Sequence, residues 1–330
     1  MSVSNSTPAP PLRFIPCIHG WAALHPHPQG VVQFVGTSRW GGWPALAYRH
    51  FLQQLYAAGY TVVVLPLPTS RCGWFTALEL FQEQYEQRLA LVEAALKRGY
   101  DPAVYLQEQR YAWVGHGVGC RPVVMLEILK DALTERCHQE LKVVVTEPVR
   151  YRLVQRLRAL ERRIYELTAI SVSYTRPQRV DTAAVLLAPV MGDLETPLPW
   201  RRLVRRLQSA PAAEQIHQLV AASPRFSRTA VVQFDRDRTA APTCQQLMWE
   251  QPRLRRRLLA GAHLAPVGLR WGNVVVDFNP FDKFIQPLSC RTLESQTLTL
   301  LTQLMTGTAK QRRATPEDKT ASLISWRGAA

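Results

Sequence analysis

Residues 110–133 read RYAWVGHGVGCRPVVMLEILKDAL: a short apolar run, a turn of alternating glycines and a long apolar stretch follow one another without a break. The run from Arg110 predicts a buried strand, and the stretch from about Val118 to Leu133 predicts a helix that starts as soon as the strand stops. A strand that bends directly into a helix needs small residues on both sides of the bend, so that one residue can be lifted above the sheet. Gly115 and Gly119 frame the bend, and the lifted residue is Gly117, which has no side chain. A dinucleotide-binding reading of GHGVGC fails, because the third glycine of G-x-G-x-x-G is absent and Pro122 enters the first helical turn.

Working outward, β-branched runs alternate with amphipathic stretches, the pattern of a mainly parallel sheet covered by helices on both faces. GVVQFVG (30–36) and TVVVLPLP (61–68) predict strands before the central one, which is then the third. The helix between them, 44–60, places Leu46, Phe51, Leu52 and Leu55 on one side, and a helix over Ala77–Lys97 ends at Gly99. AAVLLAPVMGD (183–193), TAVVQFDRD (229–237) and RRRLLAGAHLAP (255–266) predict further strands, with a polar helical region around Trp200–Val220. NVVVDFNPF and a helix over Leu293–Met305 close the fold. Residues 137–180 form an insertion or lid, in which the basic helix VRYRLVQRLRALERRIYEL is flanked by KVVVTEP and AISVSYT, read as two short strands.

In this α/β-hydrolase-like arrangement a nucleophile belongs in G-x-S-x-G, an orienting acid follows a later strand and a histidine follows the next. Gly117 takes the first position, so no covalent acyl-enzyme can form on that residue. Asp235 and Asp237 both follow TAVVQF, leaving the acid open between them, and His263 follows RRRLL. The glycine-rich loop Gly36–Gly42 and the residue after the apex make Thr37, Ser38 and Val118 the oxyanion-hole candidates. Thr37 and Ser38 sit in the neighbouring loop and could bring a hydroxyl near His263, whereas the Cys120 thiol, inside the first turn of the helix, points elsewhere and reads as packing. His25 and His27 in HPHP lack a nearby third ligand, so neither a metal nor a cofactor is expected.

The 330 residues suffice for one large core, and 47% hydrophobic with 20% charged residues excludes extensive disorder. Forty Lys and Arg against 25 Asp and Glu give +15, and Arg150–Arg206 holds twelve basic against five acidic residues. Such a surface suits an anionic surface or an acidic protein, while the leucines between the arginines fit a packed amphipathic helix better than a platform for nucleic acid. Six scattered cysteines without a C-x-x-C pair point to a reducing compartment. No run of residues reaches bilayer-spanning length, so the expected location is cytoplasmic, peripheral to a membrane at most. Residues 1–12 and 307–330 read as flexible ends of a domain over 13–306.

The blocks WAALHPHPQGVVQFVGTSRWGGWPALAYRHFLQQLYAAGYTVVVLP, YAWVGHGVGC, VVQFDRDRTAAPT and LLAGAHLAP resemble domain-of-unknown-function family 1350, found mainly in cyanobacteria and plastid-bearing organisms. That resemblance implies an α/β-hydrolase branch in which Gly117 matches the nucleophile, Asp235 the acid region and His263 the base. It also exposes departures. The family generally shows serine where Gly117 stands, and Thr-Pro after its histidine motif, where this chain has Ala265-Pro266. The expected function is therefore a pseudoenzyme-like relative that binds a small or lipid-like ligand or a partner. The alternative is hydrolysis of esters or thioesters by water activated at His263.

Overall fold

The computed structural model describes residues 11–66, 73–131, 141–142, 145–170, 182–192, 212–276 and 285–313. Its centre is an eight-stranded sheet of β1 (Ile15–Cys17), β2 (Gly20–Ala23), β3 (Gly30–Val35), β4 (Tyr60–Leu65), β5 (Tyr111–His116), β6 (Ala183–Leu187), β7 (Thr229–Phe234) and β8 (Arg255–Leu259). The spatial order is β1-β2-β4-β3-β5-β6-β7-β8. The β1–β2 and β2–β4 pairs are antiparallel and all others parallel. This order, with a strand–turn–helix elbow after β5, is the α/β-hydrolase fold.

Strands β3 to β7 are buried along their whole length, which is why they read as continuous apolar runs. Neighbouring residues on a strand face opposite sides. Thus Phe34 meets Tyr48 and Phe51 on one face, while Gln33 meets Gln87 on the other. Helices α1 (Arg49–Ala57) and α7 (Leu293–Arg313) pack on the first face. The second face carries α2 (Trp74–Leu96), α3 (Cys120–Asp131), α4 (Glu147–Ile170), α5 (Ala213–Ala222) and α6 (Ala241–Glu250). Edge strand β8 exposes three consecutive arginines, a charged border that opposes pairing with another sheet.

Helix α4 buries Leu153, Leu157 and Leu160 against the body and turns Arg152, Arg156 and Arg158 outward. Its arginines are partly engaged. Arg163 pairs with Glu86 at 3.1 Å, and Arg156 lies over the Phe75 ring.

The structure corrects several sequence expectations. Two short strands, β1 and β2, precede the first one expected, so RYAWVGHG is the fifth strand and not the third. Three- and four-residue strands are too short to show a period. The described residues of KVVVTEP form no strand: the Val145 amide donates to the Leu141 carbonyl and Glu147 opens α4, while residues 143–144 lie outside the described set. Ala169 and Ile170 of AISVSYT end α4, and residues 171–175 lie outside the described residues. Of the polar helical region expected around Trp200–Val220, the described part is the helix Ala213–Ala222, and residues 193–211 lie outside the described residues.

The expected helix 44–60 is interrupted at Tyr48, which shifts its phase and leaves Leu46 56% exposed while Phe51, Leu52 and Leu55 are buried. Val274–Val276 of NVVVDFNPF belong to a separate three-stranded antiparallel sheet with Leu269–Trp271 and Ile285–Pro287. Helix α7 continues through residues 307–313, the start of the expected flexible tail. Among the described residues no helix is long and apolar enough to cross a membrane.

Candidate active site

The elbow forms where β5 ends. Gly117 has φ +58°, the left-handed conformation that side-chain-bearing residues adopt only under strain. The framing glycines are required by close approach. A Cβ on Gly115 would stand 2.9 Å from the Cys120 Cα, and one on Gly119 would press into the carbonyls of Val35 and Gly36. Sequence spacing therefore identified a real elbow, closed against the loop after β3.

Parallel pairing sets what lies around the apex. Val35 is level with Gly115, so the loop leaving β3 and the turn leaving β5 emerge side by side. Likewise Phe234 is level with Leu259, which brings the Asp235–Asp237 turn beside the loop carrying His263. His263 Nδ1 lies 2.7 Å from Asp237 Oδ2, and the Asp237 side chain is fully buried while the histidine side chain is 21% exposed. A Cβ built on Gly117 would stand 3.2 Å from His263 Nε2, so the ring turns its second nitrogen to the elbow.

Asp237 Oδ1 also accepts the amides of Thr239 and Ala240, at 2.9 and 3.1 Å. Burial pushes its carboxyl pKa up, but the hydrogen bond and charge of His263 and these two amides outweigh it and hold the group below the ordinary carboxylate value. Asp235 has a different task. It is about half exposed, stands beside Arg236 and accepts the Gly261 amide at 2.8 Å, so it ties the two loops together. The geometry thus brings Asp237, and not Asp235, to His263.

Thr37 supplies a feature that composition could not reveal. Its Oγ1 lies 2.5 Å, and its Cβ 2.9 Å, from the place of a Cβ at residue 117. The residue is 3% exposed, and Oγ1 has no hydrogen-bond partner among the described residues. As an oxyanion donor Thr37 is corrected, because its amide is already committed to the Tyr48 hydroxyl at 2.9 Å. Val118 follows the apex in the turn Gly117–Gly119, where helix-start amides lack an intrahelical acceptor. Ser38 opens a single helical turn, Ser38–Gly41, and its side chain lies outside the described set.

Two residues of the site went unread in the sequence, His116 and Tyr48. His116 Nε2 lies 2.8 Å from the His263 carbonyl, and Nδ1 lies 2.7 Å from the Tyr48 hydroxyl. A carbonyl only accepts, so Nε2 carries the hydrogen, Nδ1 accepts from Tyr48, and the Tyr48 oxygen accepts from the Thr37 amide. Burial, then the nearby His263, lowers the His116 pKa to about 3, so the ring is neutral as this chain of bonds requires. One network therefore spans the loops of Thr37 and His263. The signal for His116 was present, a polar ring ending a wholly apolar strand. Tyr48 had none.

Cys120 is fully buried with its thiol directed to the Leu187 carbonyl, and burial raises its pKa well above the ordinary value, in keeping with packing. His27 donates its amide to His25 Nδ1, and among the described residues no group of three or more candidate metal ligands gathers.

Comparison with solved structures finds similarity to esterase B from Lactobacillus rhamnosis at 10% identity, covering 87% of this chain and 79% of that one, with TM-score 0.41. Thermogutta terrifontis esterase 2 is similar at 14% identity over 77% and 82%, with TM-score 0.40. The carboxylesterase Cest-2923 from Lactobacillus plantarum is similar at 15% identity over 76% and 83%, with TM-score 0.36. A comparison with curated proteins found no match. The family described as "Protein of unknown function (DUF1350)" matches residues 17–306, an interval that contains the elbow, Thr37, Asp237 and His263, and the chain belongs to that family.

Proposed function

We propose that this α/β-hydrolase-fold chain uses Asp237 and His263 as a general-base pair on a small ester or thioester, with no nucleophile supplied by its own elbow apex. The observation that carries this reading is the 2.7 Å contact between His263 Nδ1 and the fully buried Asp237 carboxylate, with Nε2 turned to the elbow. Of the two functions the sequence left open, binding without turnover rests on Gly117 and on the arginine-rich insertion. The paired imidazole and carboxylate favour chemistry, because a buried carboxylate that holds one ring nitrogen of a partly exposed imidazole leaves the other free to act as a base.

In this mechanism Asp237 holds His263 with Nδ1 protonated, leaving Nε2 free to take a proton from an attacking hydroxyl group or water. The imidazolium that forms is stabilised by the carboxylate and returns the proton to the departing alcohol or thiol. The test is hydrolysis of an activated acetate ester and a short-chain thioester by wild type and His263→Ala. Turnover above buffer that falls by about two orders of magnitude or more in the variant is expected. Equal rates in both proteins, or no turnover by wild type, sink the proposal and return the chain to a binding role.

A further inference from the structure

We infer that the Thr37 hydroxyl is the nucleophile that Gly117 lacks. The inference rests on the general-base reading of Asp237 and His263 and names the group from which His263 takes its proton. A side chain at residue 117 would occupy a point 3.2 Å from His263 Nε2. In this chain that space is taken by Thr37, whose Oγ1 lies 2.5 Å from the same point. The oxygen is buried and has no hydrogen-bond partner among the described residues, although buried hydroxyls are normally paired. Glycine at 117 is what makes room for it. A Cβ there would collide with both Oγ1 and Cβ of Thr37.

The loop that presents Thr37 is held in place independently of its hydroxyl. The Thr37 amide donates to Tyr48, Tyr48 donates to His116, and His116 donates to the His263 carbonyl, so donor loop and base loop are fixed to one scaffold. His116 and Tyr48 are positioning residues in this arrangement.

The chemistry balances without a further reagent. The Thr37 Oγ–H proton passes to His263 Nε2 as Oγ bonds to the acyl carbon. The bond to the alcohol or thiol breaks, and that group leaves with the proton from the imidazolium. Water then attacks the threonyl ester, again losing a proton to His263, which returns it to Oγ as the acid departs.

The experiment is labelling with an alkyl fluorophosphonate, in which Oγ–P forms and fluoride leaves, followed by peptide mass mapping. In parallel, ester turnover is measured for wild type, Thr37→Val, Thr37→Ser and His263→Ala. The expected result is one phosphonyl group on the peptide containing Thr37, loss of turnover on labelling, loss of both label and turnover in T37V, and retention of both in T37S. The serine variant keeps the hydroxyl, so it separates lost chemistry from lost folding. If wild type turns over the ester but stays unlabelled and active in the probe, and T37V keeps its rate while H263A loses it, Thr37 is not the nucleophile and the base pair stands. Absence of both turnover and label in wild type overturns the two readings together.

Discussion

The Thr37 hydroxyl oxygen lies 2.5 Å from the point where a Cβ on Gly117 would stand, and the Thr37 Cβ lies 2.9 Å from it. The two residues, eighty positions apart, compete for one volume. Restoring the residue that the family resemblance leads one to expect is therefore not a simple reversal.

Gly117→Ser is predicted to lose about 2 kcal/mol or more of stability, combining a side chain at φ +58° with overpacking against Thr37. Thr37→Ala should relieve the second part. Urea denaturation of wild type, G117S, T37A and the double variant gives the coupling directly, and a favourable coupling of about 1 kcal/mol or more is expected. Additive effects would mean that the two side chains do not meet.

The aspartates should separate cleanly. Asp237→Asn, which disturbs the His263 tautomer, is predicted to lower ester turnover by about 10³–10⁴-fold. Asp235→Asn should leave turnover unchanged while weakening the tie to the Gly261 amide, a loss of about 1 kcal/mol in denaturation. Activity loss in D235N with D237N unaffected would reverse the assignment.

Acid sensitivity follows from His116. Its folded pKa of about 3 lies below the ordinary histidine value of 6.5, so the unfolded chain binds its proton first. The stabilisation is complete above pH 6.5 and falls by about 1.4 kcal/mol per pH unit as the pH drops toward 3. His50, whose pKa burial also lowers, adds in the same direction. Stability measured by urea between pH 7.5 and 5 should therefore fall less steeply in His116→Asn than in wild type. Parallel profiles would show that the buried ring is not what titrates.

Tyr48→Phe removes the acceptor of the Thr37 amide and the donor to His116 Nδ1 together, leaving two buried polar groups unpaired. A loss of about 1–3 kcal/mol is expected, read as a lower denaturation midpoint. An unchanged midpoint would mean that the chain of bonds does not hold the loops.

The elbow was legible in sequence because its causes are local. Gly115, Gly117 and Gly119 stand within five residues of one another, and the spacing itself encodes a bend that admits no side chain on either flank. The strands β3 to β7 were legible because burial on both faces makes them continuous apolar runs. The short hairpin of β1 and β2 offered no comparable signal, since its place at the sheet edge is set by pairing with β4 and not by its own pattern. KVVVTEP misled for the opposite reason: its β-branched run suggests a strand, but Glu147-Pro148 starts a helix whose leucine stripe has a body to pack on.

Sequence alone determined the class of fold, the glycine at the apex and the chain order of apex, aspartates and histidine. The tertiary structure decided which aspartate meets His263 and which hydroxyl lies against the glycine apex. Those choices depend on parallel registers that set Val35 beside Gly115 and Phe234 beside Leu259, and so on loops brought together from distant parts of the chain. Local spacing carries no information about such encounters, because contact between two loops is fixed by the sheet beneath them and not by the residues that separate them along the backbone.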